Sequence, residues 1–540
     1  MRSKLLTVLL FSMTVLVLLP LGRVGAQKLE LIVKETHCGF LPVFPDRRVL
    51  AETITVSPDN RKVACVVQLS ESPQKKAFEV FIFTKGGRQA SAEYEAVIPN
   101  SLVFSPDSEN FAFIGIRVGK FFLVVNGKEK GVYDAVLPPA FTPDRKKIVY
   151  AARLGQKSFV VVEVEGVSDS QGEFYGAGGK GREYDAVGLP VIDRSGKRIA
   201  YAAKRGEKWF VVADGKEGTG YDEIPADSLV FSLDGSRLAY VAKRGEDWLV
   251  VTDGKESQPH EGVKKGSVVF SPDGKRIAYV VRKGEKQVPV VDGSEWMEFD
   301  KVIAVNFSPN GQRVFCVGQR GEKVKLVLDG AEVEDNIVVP PVFSPDGQRM
   351  AYGVSSEGKQ FVVLDGVKGK SYDEILPSLA FSPDGKRFIY AAKKGKKSVA
   401  VVDGVESKEY DGLWYPSIFT PSKYNGRPWL TPFSLDSKRV AYFAQRDSKW
   451  FVVVDGVELK RRYDSVANLL FTPNGEQVVC VAKRGNKTIV AVNESELEFD
   501  GILKGSDIFF DSPSSFYIFS LKPSSGVIGL LLTEVEIKAK

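Results

Sequence analysis

The stretch that decides the fold is Phe-Ser-Pro-Asp-Gly-Lys-Arg-Ile-Ala-Tyr, residues 270–279. Pro and Gly in its first half favour a tight turn, because Pro fixes φ and Gly tolerates positive φ. The apolar and aromatic runs 276–281 and 287–291 predict two strands. Asp292-Gly293 then predicts a two-residue hairpin turn. With the flanking residues, the unit is predicted to hold four short antiparallel strands, called a to d in chain order.

The same unit recurs along most of the chain, at spacings of 36 to 39 residues or one such spacing plus an insertion. The motif Ser, or the residue in its place, stands at Ser57, Ser105, Thr142, Asp193, Ser232, Ser271, Ser308, Ser344, Ser382, Ser434 and Thr472. A weaker twelfth copy begins near Phe510. Four strands per unit without helical periodicity predict a β-propeller blade, because one blade cannot bury both of its faces. A linear β-solenoid is disfavoured, since its coils lack such hairpins.

Twelve units allow two arrangements of this all-β fold. Propellers usually have roughly four to eight blades, which favours two six-bladed propellers, over residues 27–302 and 303–540. Two of the long insertions lie six units apart, as a duplicated six would place them. The alternative is one large ring. The last unit lacks a clear strand d, and Leu29 to Val33 could supply it and tie the two ends of the chain together.

The Phe-Ser-Pro-Asp-Gly-Lys-Arg-x-x-Tyr strings at 270–279 and 381–390 resemble the Pro-Asp type of WD-like repeat. That repeat occurs in TolB-like proteins and in the propellers of dipeptidyl-peptidase relatives, and the resemblance covers about residues 50–520. It implies a propeller and says little about function. One departure is that a Val-Val-Asp-Gly hairpin replaces the usual Asp-x-Asp-Gly segment. Gly-x-Ser-x-Gly does not occur, and with repeats filling the chain we expect no peptidase domain.

The start of the chain has the pattern of an export signal. Arg2 and Lys4 precede an apolar run over 5–19, and the small residues 24–26 follow it. The run is shorter than the ~20 residues that a membrane-spanning helix needs. We therefore expect cleavage after residue 26, an exported protein in the periplasm or outside the cell, and no remaining membrane span. An uncleaved anchor is the alternative. The net charge of +6 over 540 residues does not by itself indicate nucleic-acid binding.

Four Cys and two His leave little room for catalytic or metal chemistry. Cys65, Cys316 and Cys480 occupy the strand-b position that other units fill with Tyr, on different blades, which predicts buried free thiols. The pair His37 and Cys38 is expected to pack, and His260 stands in the aromatic position of strand d. The Asp residues come one per turn, whereas a calcium loop draws several oxygens from one stretch. We predict no catalytic residue, metal or cofactor.

The turns between strands b and c carry the candidate binding residues. Antiparallel order places all b–c turns on one face with the d–a connections, and the Asp-bearing a–b and c–d turns on the other. The predicted basic rim consists of Lys204, Arg205, Lys243, Arg244, Arg282, Lys283, Arg320, Lys393, Lys394, Lys483 and Arg484. Such a rim could bind an acidic protein or an anionic envelope polymer. The same residues could also serve only to keep exposed turns soluble.

The insertion over 412–431 is a second candidate site. It contains Trp414, Tyr415, Tyr424 and Trp429, which could anchor a partner or stack on a sugar, or could cover a neighbouring blade. A Gly- and Ser-rich insertion over 166–181 predicts a flexible hairpin tip.

The function predicted from these features is a non-enzymatic exported scaffold that binds a protein partner through its rim loops. One alternative is a propeller that binds carbohydrate or polyanion. The other is a hydrolase or lyase with carboxylates around the channel, which the Ser, Leu, Val and Phe composition of strand a disfavours.

Overall fold

The computed structural model describes residues 29–44, 47–72, 75–164, 179–333, 336–415, 431–524 and 527–539. Two single-turn 3-10 helices, Ala51–Thr53 and Pro99–Ser101, are the helical elements of these residues, and the other elements are strands. The strands form twelve antiparallel sheets, each with the spatial order a-b-c-d. This confirms the all-β fold and the four-stranded unit. The predicted signal segment, 1–26, lies outside the described residues.

Strands b and c form the central hairpin of each blade. In chain order of the blades, the b strands are Val63–Ser72, Phe111–Arg117, Lys147–Leu154, Ile199–Arg205, Leu238–Arg244, Ile277–Lys283, Val314–Arg320, Met350–Ser356, Phe388–Lys394, Ala441–Arg446, Val478–Arg484 and Ser515–Ser524. The c strands are Lys75–Thr84, Lys120–Val125, Lys157–Val164, Lys208–Ala213, Asp247–Thr252, Lys286–Val291, Lys323–Leu328, Lys359–Leu364, Lys397–Val402, Lys449–Val454, Lys487–Val492 and Val527–Ala539. Their middles are nearly continuous apolar runs because a neighbouring blade covers each face.

Strand a is short and often split. The a strands are Arg47–Val49 with Thr55–Val56, Ala96–Val97 with Val103–Phe104, Ala135–Val136 with Ala140–Phe141, Ala186–Val187 with Val191–Ile192, Val230–Phe231, Gly262–Val263 with Val269–Phe270, Lys301–Phe307, Asn336–Phe343, Glu374–Ile375 with Ala380–Phe381, Gly412–Trp414, Ser465–Phe471, and Gly501–Ile502 with Phe509–Ser512. Blade 1 adds Val43–Phe44, which pairs with Arg47–Val49. At several splits a hydroxyl replaces the missing acceptor for strand b, as where the Val280 amide donates to Ser267 Oγ at 3.0 Å.

Strand d ends each sheet and is the most variable in length. In blade order, the d strands are Gly87–Ala90, Lys128–Tyr133, Gly179–Lys180, Lys216–Tyr221, Lys255–Glu256, Ser294–Glu295, Ala331–Val333, Val367–Tyr372, Val405–Glu406, Val457–Glu458, Ser495–Phe499 and Leu29–Leu41.

The turns have the chemistry that the motif predicts. In blade 6, Ser271 Oγ donates to Asp273 Oδ1 at 2.6 Å and accepts from the Arg276 amide at 2.9 Å, which closes the a–b turn. Asp292 and Gly293 of the c–d turn have φ values of 50° and 84°, as a hairpin turn of this type requires. These carboxylates therefore act as turn formers.

Consecutive blades share hydrophobic clusters that run in one closed cycle. Blades 6 and 7 share a cluster with Val280 and Cys316, built like the others. Blades 12 and 1 share one that contains Phe519 and Cys65. Because the contact between blades 12 and 1 closes the cycle, the twelve blades form a single ring. Of the two arrangements that the sequence allows, the alternative of one large ring is the one that fits, rather than the preferred pair of six-bladed propellers.

The two ends of the described chain close this ring. Leu29–Leu41 pairs antiparallel with Val527–Ala539 and is strand d of blade 12, as expected for Leu29 to Val33. Across the closing interface, Asn60 Nδ2 donates to the Asp507 carbonyl at 2.8 Å. The part of the chain that the structure describes has no helix with the length and hydropathy of a membrane span.

Candidate binding face

The face that holds the b–c turns and the d–a connections, called the b–c face below, carries the predicted rim residues at the ends of the b strands. Arg205, at the end of strand b of blade 4, pairs with Glu217 near the start of strand d of the same blade, with Nη2 to Oε1 at 2.6 Å. Tyr184 of blade 3 donates from its hydroxyl to the same Glu217 oxygen at 2.7 Å. The Arg205 guanidinium lies 5.1 Å from the centre of the Tyr184 ring. Three side chains from two blades thus form one Tyr–Glu–Arg clasp.

The hydrogen bond from Arg205 lowers the pKa of Glu217, which favours its charged form. Burial raises the pKa of Tyr184, so its phenol stays protonated and continues to donate. The clasp therefore keeps a fixed pattern of donors and acceptors near neutral pH.

The clasp recurs around the ring. Its other complete copies are Tyr94–Glu129–Arg117, Tyr221–Glu256–Arg244, Tyr372–Glu406–Lys394 and Tyr410–Glu458–Arg446. Between blades 10 and 11, Arg484 pairs with Glu496 at 2.6 Å and lies 5.5 Å from the centre of the Tyr463 ring. At two further interfaces another ring replaces Tyr. Phe299 lies under Arg320, which pairs with Glu332 at 3.0 Å. His260 takes the place at the interface where Lys283 pairs with Glu295 at 3.3 Å. The rim cations Arg205, Arg244, Lys283, Arg320, Lys394 and Arg484 are all paired.

The other predicted rim residues also lie on this face. Lys393 pairs with Glu374 at 2.6 Å, and Arg282 donates to the Glu261 carbonyl at 2.9 Å. The Lys204 and Lys243 ammonium groups lie 5.9 and 5.7 Å from the centres of the Trp209 and Trp248 rings. Lys483 is exposed at the end of its strand. The predicted common face is therefore observed, but most of its cations have anionic or carbonyl partners.

A second bridge ties neighbouring blades on this face. Asp222, at the end of blade 4, accepts from Lys208 Nζ of its own blade at 2.5 Å and from the Gly245 amide of blade 5 at 2.7 Å. The hydrogen bond from Lys208 lowers the pKa of Asp222. Asp134, Asp185, Asp300, Asp373 and Asp464 make the equivalent pair of contacts.

On the opposite face, which holds the Asp-bearing a–b and c–d turns, the carboxylates of the c–d turns are similarly neutralised. Arg237 Nε donates to Asp253 of the c–d turn at 2.8 Å, and Nη1 donates to the Gly274 carbonyl of the next blade at 3.1 Å. The same guanidinium covers the Phe270 ring at 5.2 Å. The matching pairs are Arg198–Asp214, Arg276–Asp292, Arg313–Asp329, Arg349–Asp365, Arg387–Asp403 and Arg439–Asp455.

The aromatic insertion is only partly described. Trp414 is 40% exposed in strand a of blade 10, with its ring 5.6 Å from that of Phe443. Tyr415 is buried and donates to the Ser378 carbonyl of blade 9 at 2.5 Å, so it covers a neighbouring blade. Tyr424 and Trp429, and most of the insertion over 166–181, lie outside the described residues.

The nucleophilic and metal-ligating side chains are in structural positions. Cys65, Cys316 and Cys480 are buried free thiols, as predicted, and burial raises the pKa of each to about 12. Cys38 is also a buried free thiol, in the cluster that closes the ring. His260 packs edge-on against Tyr279 at 5.9 Å, and burial lowers its pKa. Within the described ranges, no group of three or more His, Cys, Asp or Glu side chains converges.

Two apolar turn tips on the b–c face were not recognised in the sequence. Val118 of blade 2 is 81% exposed and Leu154 of blade 3 is 51% exposed. Leu154 stands in Arg-Leu-Gly-Gln, at the position where the b–c turns of most later blades carry Arg or Lys. Val118 stands in Arg-Val-Gly-Lys, at the first position of the turn itself, where blade 4 has Gly206. Alignment of the b–c turns by side-chain polarity, rather than by charge alone, would have found them. The clasp Glu was also missed, although it lies twelve residues after its Arg or Lys in each blade.

The comparisons with solved structures returned weak matches. TolB from Acinetobacter baumannii is 15% identical over 50% of this chain and 78% of its own, with a TM-score of 0.23. The β-propeller domain of the Trilobed protease from Pyrococcus furiosus is 13% identical over 52% of this chain and 96% of its own, with a TM-score of 0.26. The tricorn protease is 13% identical over 90% of this chain and 58% of its own, with a TM-score of 0.26.

TolB and protease propellers are thus among the structures to which this chain is similar. The repeat motif of the sequence resembles the same kinds of propeller. At these identities and TM-scores the likeness supports no conclusion about function. No family model matches the chain, and no curated protein matches it.

Proposed function

We propose that this chain is a non-enzymatic scaffold that binds a protein partner through the loops of its b–c face. The observation that carries the proposal is the pair of apolar tips, Val118 and Leu154, on adjacent blades of that face. Protein interfaces place apolar side chains at their centre and polar groups at their rim. On the b–c face, the exposed apolar tips would form the centre of the interface. The ion-paired turns of the neighbouring blades would form its polar rim.

The pairing of the rim cations favours a protein over a polyanion. A polymer of negative charge binds where positive charge is uncompensated, because the field of the site attracts it. Arg244, for example, is bound by Glu256 at 2.5 Å, and the clasps neutralise the other paired rim cations in the same way. Exposed pairs of this kind produce little net field at physiological salt.

The chemistry of the described side chains supports a binding role over catalysis. The thiols of Cys65, Cys316 and Cys480 are buried and protonated, which makes them poor nucleophiles. The Asp residues of the turns and of the d–a connections are held by hydroxyl, amide, Lys or Arg donors. These groups stabilise the fold, so we assign them no catalytic role.

Export is part of the proposal. The leader-like pattern of residues 1–26 supports it. The four Cys are buried, so they would be protected from oxidation in a compartment that forms disulfides. We place the protein in the periplasm or outside the cell.

The test is capture of partners from the native envelope and secreted fraction, with wild type and two variants. Val118→Asp combined with Leu154→Asp should abolish capture, because it places carboxylates at the centre of the proposed interface. Val405→Asp is the matched control, since Val405 is 71% exposed on the opposite face. Capture that survives in the double variant would overturn the proposal. Capture that is lost in high salt would also overturn it and would favour a polyanion as the ligand.

A further inference from the structure

The strand that closes the ring has an unusual free edge. Leu29–Leu41 has 13 residues, whereas the d strands of the other blades have two to six. It is the end strand of its sheet, so its outer backbone groups have no strand partner among the described residues. One contact lies at its start, where Ser495 Oγ donates to the Leu29 carbonyl at 3.1 Å.

The side chains do not protect this edge as they protect the others. Edge strands in natural proteins avoid pairing with other chains by being short, bulged or rich in Lys. In this ring, Lys128, Lys216 and Lys255 begin exposed d strands, and the six-residue d strands of blades 2, 4 and 8 have shifted registers. The closing strand keeps one register from Leu29 to His37, and Ile32 and Val33 are each 40% exposed. A long regular edge with exposed apolar residues is a template for another strand.

The charges along this edge are complementary to themselves. If two copies pair antiparallel about Ile32, then Glu30 of each lies opposite Lys34 of the other, and Leu31 lies opposite Val33. Directly opposed residues share a face of the sheet, so the Glu and Lys side chains meet. Glu30 and Lys34 are exposed and have no ion-pair partner within the described part of the chain. Both are therefore available for this contact.

Neighbouring registers fit less well. A slip of one residue in one direction places Glu30 opposite Glu35, and like charges directly opposed are destabilising. The slip in the other direction places Glu30 opposite Val33 and Lys34 opposite Leu29, so that neither charge has a partner. The register that opposes Lys34 to Glu35 instead sets the irregularity at His37 and Gly39 against residues 30–32. Glu35 is also engaged, since Lys522 Nζ lies 3.9 Å from its carboxylate. The pairing about Ile32 is the one that satisfies both the charges and the regular backbone.

We propose that residues 29–35 bind the same residues of a second copy of this chain, and that two rings are joined edge to edge by a continuous antiparallel sheet. The symmetry is two-fold, because the same surface is used on both sides. This surface is the outer edge of blade 12 and is distinct from the turn tips of the b–c face, so the two proposals stand independently.

The test is sedimentation equilibrium of the purified protein and three variants. Wild type should be a dimer whose dissociation depends on concentration. Lys34→Glu creates two repulsive pairs per dimer and should weaken association about tenfold. The exchange Glu30→Lys with Lys34→Glu restores two attractive pairs and should recover the wild-type constant. Lys128→Glu, an exposed charge reversal on the d strand of blade 2, should leave association unchanged.

Circular dichroism would establish that each variant keeps its fold. A wild-type protein that stays monomeric at the highest attainable concentration would overturn the proposal, and the edge would then be open to a strand of a different protein. A dimer that is indifferent to Lys34→Glu, or that the charge exchange fails to restore, would also overturn it.

Discussion

Arg205 Nη2 lies 2.6 Å from Glu217 Oε1, although Arg205 ends strand b and Glu217 lies near the start of strand d of the same blade. This pair matters because the buried hydroxyl of Tyr184, from the preceding blade, donates to the same Glu217 oxygen. A cation that belongs to the predicted basic rim is therefore part of the bond between two blades. The finding changes how the rim is interpreted, since its positive charge is largely committed to the fold.

Removal of the clasp carboxylate should weaken the ring. Glu217→Ala leaves the buried Tyr184 hydroxyl without its acceptor, which costs about 1–2 kcal/mol of the free energy of unfolding. Glu207→Ala, in the exposed turn of the same blade, is the control and should cost about 0–0.5 kcal/mol. Chemical denaturation measures both. Equal losses in the two variants would show that the clasp does not hold the blades together.

Acid should loosen the ring through the same carboxylates. Hydrogen bonds from Arg or Lys lower the pKa of Glu217, Glu256, Glu406 and Glu458 from their usual 4.5. A carboxylate whose pKa is lower in the folded state stabilises that state above 4.5, and the contribution is lost as pH falls through the lowered pKa. The melting temperature should therefore be constant well above pH 4.5 and fall below it.

A variant with Gln at these four Glu positions provides the control for the pH dependence. It should be less stable than wild type at neutral pH and should lose less stability on acidification. A wild-type melting temperature that rises below pH 4.5, or an equally steep profile in the variant, would contradict the assignment.

The blade could be predicted from the sequence because its signals are local. The Ser-Pro-Asp-Gly turn, the Asp-Gly hairpin and the apolar runs each lie within a few residues, and the turn bonds of Ser271 and Asp273 lie within five. The number of rings could not be predicted in this way. It depends on Phe519 and Cys65, hundreds of residues apart, packing in one closing cluster, and no turn or strand pattern encodes this.

The candidate site could be predicted only in its placement. Strand order puts Arg205, Arg244 and Lys394 on one face, and this follows from the repeat alone. Their neutralisation depends on Glu side chains of strand d that approach across the hairpin, and on Tyr side chains of another blade. The twelve-residue spacing between Arg205 and Glu217 was visible, but its meaning required knowledge of how strands b, c and d pair.

A glycine at the contact between turns should be less replaceable than a glycine at a free turn. Gly235 and Gly206 both have positive φ, 72° and 59°, so Ala strains both. A Cβ on Gly235 would also lie 2.4 Å from Asp193 Oδ2 of the preceding blade, whereas a Cβ on Gly206 meets nothing within 4 Å. Gly206→Ala should cost about 1 kcal/mol and Gly235→Ala clearly more. Equal unfolding free energies would exclude the contact.

The four thiols should not react quickly with a thiol reagent in the native protein. Cys65, Cys316 and Cys480 are buried, and their pKa of about 12 leaves almost no thiolate at pH 8 or below. Titration with a thiol reagent should detect no fast-reacting group in the native protein and four after denaturation. A thiol that reacts at once in the folded protein would show that its blade interface is open.

The most direct test of the central claim, a single closed ring of twelve blades, is electron microscopy of the purified protein viewed along the ring axis. We predict class averages with one ring of twelve radial arms around one central opening in each chain. Two smaller discs of six arms each, joined between residues 302 and 303, would contradict the account.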